Sequence, residues 1–247
     1  MDVRGRARAR LYGLVQEEEM KTPNILGIIP ARSGSKGVRN KNTVELGGLP
    51  LIAHTLRAVQ DSVFNFDHIV STDSLTIADI SKKHGGQVPF KRPKYLAQDT
   101  SSTVDVVLHT LERVGKKYDY VLLLQPTCPF RSSKDIDAAI RLAIKNNASS
   151  VCSFTSVKDN HPNYMYYINN KKVTPVVSGR TGKRRQVFRE AVLRNGAIYL
   201  VKTNALLRTK SFVTPSCIPY IMPSERSLNI DTRSDLELAR DYVRTLN

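Results

Sequence analysis

A loop rich in glycine, serine and basic residues carries the clearest chemistry in the sequence. An apolar run ends at Ile29, and residues 30–42 read Pro-Ala-Arg-Ser-Gly-Ser-Lys-Gly-Val-Arg-Asn-Lys-Asn. Glycine and serine let successive backbone N–H groups converge on one anion, and Arg32, Lys36 and Lys41 add three cations within ten residues. This pattern indicates a triphosphate-binding loop that is neither a P-loop nor a dinucleotide-binding motif. The alternative is an ordinary surface turn with solvated basic side chains.

A second polar segment, residues 92–103, leads into a predicted helix. Arg92 begins the segment, and Ser101 and Thr103 lie at its end. These groups fit an edge of hydrogen-bonding side chains that faces a nucleotide base. The simpler interpretation is that serine and threonine at a helix start serve as N-caps.

A third segment joins a buried strand to a rigid turn. Residues 124–131 read Leu-Gln-Pro-Thr-Cys-Pro-Phe-Arg. Ligands of open α/β sheets bind at the carboxyl ends of the strands, so Gln125 is placed to hydrogen-bond a polar substrate. Packing alone also explains a turn with two prolines.

Two later segments add charged groups. A basic run that ends at Arg185 precedes a predicted strand that contains Tyr199. By itself this run also fits a nucleic-acid or nuclear-import patch. Asn229 and Asp231 lie just before the final predicted helix, where an aspartate ordinarily serves as an N-cap.

The elements that must position these residues follow an α/β pattern, in which short apolar runs alternate with amphipathic segments. The predicted strands are residues 25–29, 68–71, 120–124 and 150–154. Helical spacing predicts helices over about 104–114, 136–144 and 232–246, and Ser132 and Thr232 supply N-cap chemistry for the last two. The sequence therefore predicts an α/β fold with a doubly wound, mostly parallel, Rossmann-like sheet.

The alternation breaks at about residue 157. Residues 164–168 and 173–177 flank Asn169-Asn170 and predict a β-hairpin, and a basic loop follows at 179–185. We therefore divide the chain into a mobile N-terminal tail at residues 1–22 and one domain at residues 23–247. Within that domain, residues 157–194 form a basic arm.

Composition limits the class of protein. The 247 residues are 40% hydrophobic and carry a formal net charge of +16. Residues 157–194 hold nine lysines and arginines against two acidic residues, a density that suits nucleic acid or a triphosphate with an acidic co-substrate. The three widely spaced cysteines and the lack of a long apolar run predict a soluble, intracellular protein without disulfides or structural zinc, which is cytoplasmic or, if the source is an animal cell, nuclear.

Taken together, the motifs resemble those of the acylneuraminate cytidylyltransferases, the CMP-sialic acid synthetases. The match spans residues 25 to about 244 and consists of six segments in order: Ile-Pro-Ala-Arg-Ser-Gly-Ser-Lys-Gly, Ser-Thr-Asp-Ser, Arg-Pro with Leu-Ala-Gln-Asp, Leu-Gln-Pro-Thr-Cys-Pro-Phe-Arg, Asn-Gly-Ala-Ile-Tyr and Asn-Ile-Asp-Thr. The resemblance implies transfer of CMP from CTP to the anomeric hydroxyl of a sialic-acid-like nonulosonic acid, with release of pyrophosphate. It also implies a homodimer in which the β-hairpin arm crosses to the partner subunit.

The resemblance assigns roles to individual residues. The phosphates and ribose of CTP are expected at Arg32, Ser35, Lys36, Lys41 and Asn42. The cytidine is expected at Arg92, Ser101 and Thr103. Gln125 and Tyr199 fall where the family contacts or encloses the acceptor sugar. Arg185 matches an arginine that the family implicates in catalysis, and Lys41 and Arg32 are further catalytic candidates.

One position departs from the family's pattern. Asp231 matches a Mg²⁺-binding aspartate, but where the family has Asp-Ile-Asp this chain has Asn229 as the first residue. An asparagine carbonyl can coordinate Mg²⁺ but brings no negative charge. Asn229 and Asp231 are therefore expected to form a weakened magnesium site.

Three alternatives stay open at this point. A sibling enzyme would activate a legionaminic, pseudaminic, deaminated or eight-carbon keto-sugar acid. A basic nucleic-acid-binding module would explain the charge but not the Gln-Pro-Thr turn, and it predicts salt-dependent binding without CTP turnover. A catalytically decayed scaffold would explain Asn229. Of the partners, we expect CTP, an acidic keto-sugar and a second copy of the chain, without nucleic acid or membrane.

Overall fold

Strands and helices alternate along the chain, as the apolar pattern predicts. The computed structural model describes residues 22–157, 160–178 and 188–246. The strands in these ranges are β1 Ile25–Pro30, β2 Glu45–Leu46, β3 Leu49–Pro50, β4 Asp67–Ser71, β5 Tyr120–Leu123, β6 Ser150–Ser156, β7 Tyr166–Asn169, β8 Lys172–Pro175, β9 Val192–Lys202 and β10 Ile218–Ile221. The helices are α1 Leu51–Gln60, α2 Leu75–Lys83, α3 Thr103–Val114, α4 Ser133–Lys145, α5 Thr203–Thr209 and α6 Arg233–Leu246. Each predicted strand and helix is present.

Six of these strands form one mixed, mostly parallel sheet in the order β10-β6-β9-β5-β1-β4. β1 pairs in parallel with β4 and β5, and β10 pairs in parallel with β6. β9 runs antiparallel to both of its neighbours. The carboxyl ends of β1 and β5 consequently lie side by side at one edge of the sheet, where the ligands of such sheets bind.

Both faces of the sheet are covered, which is why its central strands are nearly continuous apolar runs. On one face, Ile29 packs with residues of α1 and α4, including Leu56 and Ile140. On the other face, Ile28 packs with Val107 of α3 and with residues of α5. The predicted doubly wound α/β fold is confirmed.

A separate hairpin, β7–β8, extends from the domain. Its two strands pair antiparallel from Tyr166 opposite Pro175 to Asn169 opposite Lys172. Asn170 and Lys171 form the turn with φ of 46° and 64°, the backbone of the two-residue hairpin turn in which both residues have positive φ. The predicted hairpin is confirmed, with the turn one residue later than the Asn169-Asn170 turn expected from the sequence.

The predicted N-caps are also in place. Ser132 and Asp135 form a reciprocal capping box at the start of α4. At α6, Thr232 Oγ1 accepts from the Asp235 N–H at 3.2 Å, and the Asp235 carboxylate accepts from the Thr232 N–H at 2.7 Å. Thr232 therefore caps α6, and the side chain of Asp231 is left for another use.

Two predicted segments fall outside the ranges described above. The expected N-terminal tail covers residues 1–22, of which 1–21 are not described, and the whole of the basic loop at 179–185 is likewise not described. The division into tail, domain and basic arm therefore stays a prediction. Among the helices of the described ranges, none has the length and apolarity needed to span a membrane.

Candidate active site

A cavity of about 550 Å³ opens at the carboxyl ends of β1 and β5. It is bordered by the loop after β1, by the segment that leads into α3, by the turn after β5 and by residues just before α6. The predicted site residues that line it are Arg32, Ser35, Lys36, Lys41, Asn42, Arg92, Ser101, Thr103, Gln125, Asn229 and Asp231. The fold thus brings into one cavity side chains that lie up to about 200 positions apart in the sequence.

The loop after β1 is held in place by hydrogen bonds at both ends. The N–H and hydroxyl of Ser33 donate to the carboxylate of Asp73 at 2.9 and 2.6 Å. The side-chain amide of Asn42, which is buried, donates to the Arg32 carbonyl at 2.9 Å. Burial raises the pKa of Asp73, but the hydrogen bonds from Ser33 outweigh it, and the net pKa lies below the ordinary value. The sequence alone did not indicate this role for Asp73, although the residue lies in the Ser-Thr-Asp-Ser motif.

Asp99 joins two of the cations that the sequence assigned to the triphosphate. Its carboxylate lies 2.5 Å from Nη2 of Arg32 and 2.7 Å from Nζ of Lys36. Hydrogen bonds from Lys36 and then from Arg32 lower the pKa of Asp99. One carboxylate therefore holds these two cations close together. Its position in the Leu-Ala-Gln-Asp motif was the only sign of this in the sequence.

The loop touches the segment before α6 at Gly37. A Cβ at this position would lie 2.0 Å from the backbone oxygen of Asp231, so only glycine allows the approach. Nearby, Nζ of Lys41 lies 2.8 Å from Oδ1 of Asp231. The cationic loop and the predicted metal-binding aspartate are thus fixed against one another by backbone contact.

The amide of Asn229 has a defined orientation. Its nitrogen donates to the second carboxylate oxygen of Asp231, and its oxygen lies 3.6 Å from the thiol of Cys128. Burial raises the pKa of Cys128 to about 11, so the thiol is protonated at neutral pH, and its one S–H lies nearer to the Asn195 carbonyl, at 3.2 Å, than to the Asn229 oxygen. In this arrangement the side-chain nitrogen of Asn229, and not its side-chain oxygen, faces the Asp231 carboxylate. Asn229 therefore holds Asp231 in place through a hydrogen bond.

The donor set fits a magnesium ion that is shared with substrate phosphates. Mg²⁺ is usually bound through one or two carboxylates, phosphate oxygens and water. Asp231 supplies one carboxylate, 60% exposed, at the cavity wall. Within the described ranges there is no group of three or more His, Cys, Asp or Glu side chains that could hold a metal alone.

Arg92 places a buried positive charge at the cavity wall. Its guanidinium donates to the hydroxyl of Ser71 at 3.1 Å and to the Ser71 carbonyl. Burial lowers the pKa of Arg92 to about 10, which leaves the group charged at neutral pH. The capping role at α3 belongs to Ser102, which accepts from the Val104 N–H, so the neighbours Ser101 and Thr103 remain at the cavity.

Gln125 lies against Gly196, the glycine of the Asn-Gly-Ala motif. Gly196 has φ of +82°, and a Cβ there would lie 2.9 Å from Oε1 of Gln125. Tyr199 is buried behind this contact in the apolar cluster of the second face, with the guanidinium of Arg194 5.6 Å from its ring centre. Tyr199 is not among the residues that line the cavity. Arg185, the other predicted residue not placed there, lies outside the described residues.

Comparison with known proteins identifies the family. A family model described as Cytidylyltransferase matches residues 26–207. The chain belongs to the cytidylyltransferase family. The resemblance seen in the sequence is confirmed at that level.

Relatives within the family act on more than one sugar acid. The chain is 36% identical over 211 residues to an N-acylneuraminate cytidylyltransferase of Streptococcus agalactiae serotype III, a match that covers 84% of this chain and 50% of the relative. It is 34% identical over 226 residues to a CMP-N,N'-diacetyllegionaminic acid synthase of Legionella pneumophila, covering 89% of this chain and 96% of the relative. The chain thus spans about half the length of the first of these relatives and nearly all of the second.

A solved structure gives the same fold. The CMP:2-keto-3-deoxy-manno-octonic acid synthetase complexed with CTP superimposes with a TM-score of 0.70, covering 91% of this chain and 100% of that chain. The sequence identity is 15%, so this likeness supports the cytidylyltransferase fold and leaves the acceptor open.

Proposed function

We propose that this cytidylyltransferase transfers CMP from CTP to the anomeric hydroxyl of a sialic-acid-like nonulosonic acid and releases pyrophosphate. The observation that carries the proposal is the single cavity in which the cations of the β1 loop, the buried Arg92 and the carboxylate of Asp231 meet. A triphosphate, a base and a metal ion each find suitable groups there.

The cations of the β1 loop have the charge that the reaction requires. Attack on the α-phosphate places negative charge on the departing pyrophosphate, and preorganised cations stabilise that charge most effectively. Arg32 and Lys36 converge on one carboxylate of the protein, and we propose that CTP phosphates replace it. Lys41, held on Asp231, adds a third cation. No covalent intermediate is needed, because alignment of acceptor and phosphate supplies much of the rate enhancement.

A magnesium ion, when bound, would neutralise phosphate charge and orient the triphosphate. We propose Asp231 as its protein ligand. Asn229 and Lys41 hydrogen-bond the two oxygens of that carboxylate and so fix its direction. In this proposal Asn229 acts through Asp231, which differs from the direct metal contact expected from the sequence.

We propose that Gln125 contacts the acceptor sugar and that Tyr199 supports the wall behind it. Gln125 lies at the cavity, beside the predicted nucleotide site. Tyr199 is buried and lies on the strand that carries Gly196. The catalytic role of Arg185 remains a prediction.

The hairpin arm supports the proposal of a homodimer. β7 is exposed along its whole length, and β8 along most of its length, and Ile168 is 80% exposed. Soluble proteins rarely leave a contiguous apolar surface uncovered. A second copy of the chain is the partner that the family resemblance implies.

The test is pyrophosphate release from CTP and Mg²⁺ with a panel of acids: N-acetylneuraminic, deaminated, legionaminic, pseudaminic and eight-carbon keto-sugar acids. ATP, GTP and UTP serve as nucleotide controls. We expect release with CTP and one or more of the nine-carbon acids. Release with the eight-carbon acid alone would refute the nonulosonic assignment, and lack of CTP binding would refute the nucleotide site.

Charge-removing variants locate the reaction in the cavity. Arg32→Ala and Lys41→Ala are expected to reduce kcat/KM by about 100-fold or more, as is typical when a group that stabilises developing charge is removed. Lys116→Ala is the matched control, because Lys116 pairs with Asp67 at the opposite end of the sheet. Unchanged kinetics in both cavity variants would overturn the assignment of the phosphate site.

A further inference from the structure

Arg131 is a buried cation that is not part of the nucleotide site. It is 2% exposed and the largest of the fully buried side chains of the described residues. Nη1 donates to the Ala197 carbonyl at 2.9 Å and to the Gln125 carbonyl at 3.2 Å. Nη2 donates to Oγ1 of Thr55 at 2.6 Å. One side chain therefore connects α1, the turn after β5 and β9.

Burial of the Arg131 charge has a cost in free energy. Burial lowers the pKa of Arg131 to about 10, so the group is charged at neutral pH. All three of its hydrogen-bond acceptors are neutral, its Nε has no hydrogen-bond partner in the part of the chain that the structure describes, and the negative charge of Asp135 offsets only part of the effect of burial. Buried charges cost free energy, and apolar side chains of similar volume often replace them without loss of stability.

The positions of the acceptors indicate what Arg131 does. The Gln125 and Ala197 carbonyls both accept from Nη1 of Arg131. This shared donor sets the distance between two backbone segments, the turn after β5 and β9. Between these segments, the side chain of Gln125 lies against Gly196, where a Cβ would lie 2.9 Å from Oε1 of Gln125. If Arg131 were lost, the two carbonyls would have no common donor, and the turn that carries Gln125 could move away from Gly196.

We propose that Arg131 is a positioning residue that fixes Gln125 against Gly196 and thereby sets recognition of the acceptor. The inference rests on the proposed function, in which Gln125 contacts the sugar acid. It assigns Arg131 no contact with substrate. The cations of the nucleotide site are held separately, Arg32 and Lys36 by Asp99, Lys41 by Asp231 and Arg92 by Ser71, so binding of CTP should be independent of Arg131.

The experiment is a double-mutant cycle between Arg131→Met and Gln125→Ala, with the KM for the acceptor and the Kd for CTP measured for each protein. Arg131→Met is expected to raise the acceptor KM by about tenfold or more, since small misplacements of binding groups have effects of this size. Its Kd for CTP should stay within about twofold of wild type. Because contacting groups couple, the double variant should be no worse than Gln125→Ala alone.

Two further variants keep the test sharp. Arg131→Lys retains one donor and should recover part of the acceptor affinity. Arg131→Lys also replaces Arg131→Met as the test variant if Arg131→Met does not fold. Thr55→Val removes only the acceptor on α1 and should change the acceptor KM much less. Multiplicative effects in the double variant, or equal losses of CTP and acceptor affinity, would overturn the proposal.

Failure of the proposed function would be visible separately, as absence of turnover by the wild-type protein with every acid. Amide hydrogen exchange then tests the positioning role without an acceptor. Arg131→Met should speed exchange in residues 124–128 and 195–198 and leave the loop at 32–42 unchanged. Unaltered exchange in both segments would contradict the inference.

Discussion

Replacement of Gly37 by alanine tests the contact that joins the cationic loop to Asp231. An ideal Cβ at this position would lie 2.0 Å from the backbone oxygen of Asp231 and 3.1 Å from its carbonyl carbon. Ordinary C···O contacts are about 3.3 Å or longer. The loop and the segment before α6 must therefore separate by about 1 Å in the variant.

The expected loss follows from this displacement. A misplacement of about 1 Å can cost about 100-fold in rate, so kcat/KM should fall by about that factor. Overpacking typically costs about 1–3 kcal/mol, which in a chain of this size lowers Tm by several degrees, at about 2–4 °C for each kcal/mol. No charge or hydrogen-bonding group is removed, so the effect isolates geometry.

The assay compares Gly37→Ala with Gly34→Ala in the same loop. A Cβ at Gly34 would meet no atom within 4 Å, so that variant should leave the contact with Asp231 intact and have equal or slightly greater stability. Turnover with CTP, Tm and Mg²⁺ dependence are measured for both proteins. Wild-type behaviour of Gly37→Ala would refute the reasoning, because the close approach could not then exist.

Three other predictions follow from the charged groups. Asp99→Asn should tighten CTP binding in titration calorimetry, because the carboxylate no longer competes with phosphate for the two cations it bridges; weaker binding would contradict this role. Asn229→Asp should raise Mg²⁺ affinity in the CTP complex on the order of tenfold, since a second carboxylate joins Asp231, and an unchanged Mg²⁺ titration would count against it. Burial raises the pKa of Asp135, but hydrogen bonds from Arg226 and from neighbouring groups outweigh it, so the net pKa lies below 3.8. The ionised carboxylate therefore stabilises the fold above pH 3.8, and this stabilisation is lost as the pH falls through the lowered pKa. Asp135→Asn should therefore lower the free energy of unfolding by about 2 kcal/mol at pH 7, allowing for solvent screening at the partly exposed Arg226. The difference in Tm between the variant and the wild type should shrink below pH 4. A difference in Tm that does not depend on pH would contradict the ion pair.

Local patterns predicted the elements well because they depend on neighbouring residues. The run from Ile25 is apolar at nearly every position and forms a strand buried on both faces, as expected for the centre of a parallel sheet. Ser132 and Thr232 begin helices as their types predict. The turn of the hairpin was one residue off, because Asn170 and Lys171, rather than Asn169 and Asn170, take the positive φ that the turn requires.

The sequence also indicated which residues would meet at the site, through the order of its motifs. It did not indicate their pairing. Asp73, Asp99 and Arg131 had no assigned role, because each acts through partners far away along the chain. The sequence was compatible with Asp231 as the N-cap of the final helix or as a metal ligand. In the structure, Thr232 is the N-cap of that helix.

What the sequence determined by itself was the alternating α/β pattern with its central strands and three of its helices, the loop of cations and the family to which the motifs belong. These follow from periodicity, from turn chemistry and from residue types at short spacing. Only the tertiary structure decided that Asp99 bridges Arg32 and Lys36 and that Lys41 meets Asp231, 190 positions away. The physical reason is that a side-chain pair at such separation forms only after the sheet has aligned the ends of its strands. No local sequence pattern predicts which carboxylate will lie beside which cation.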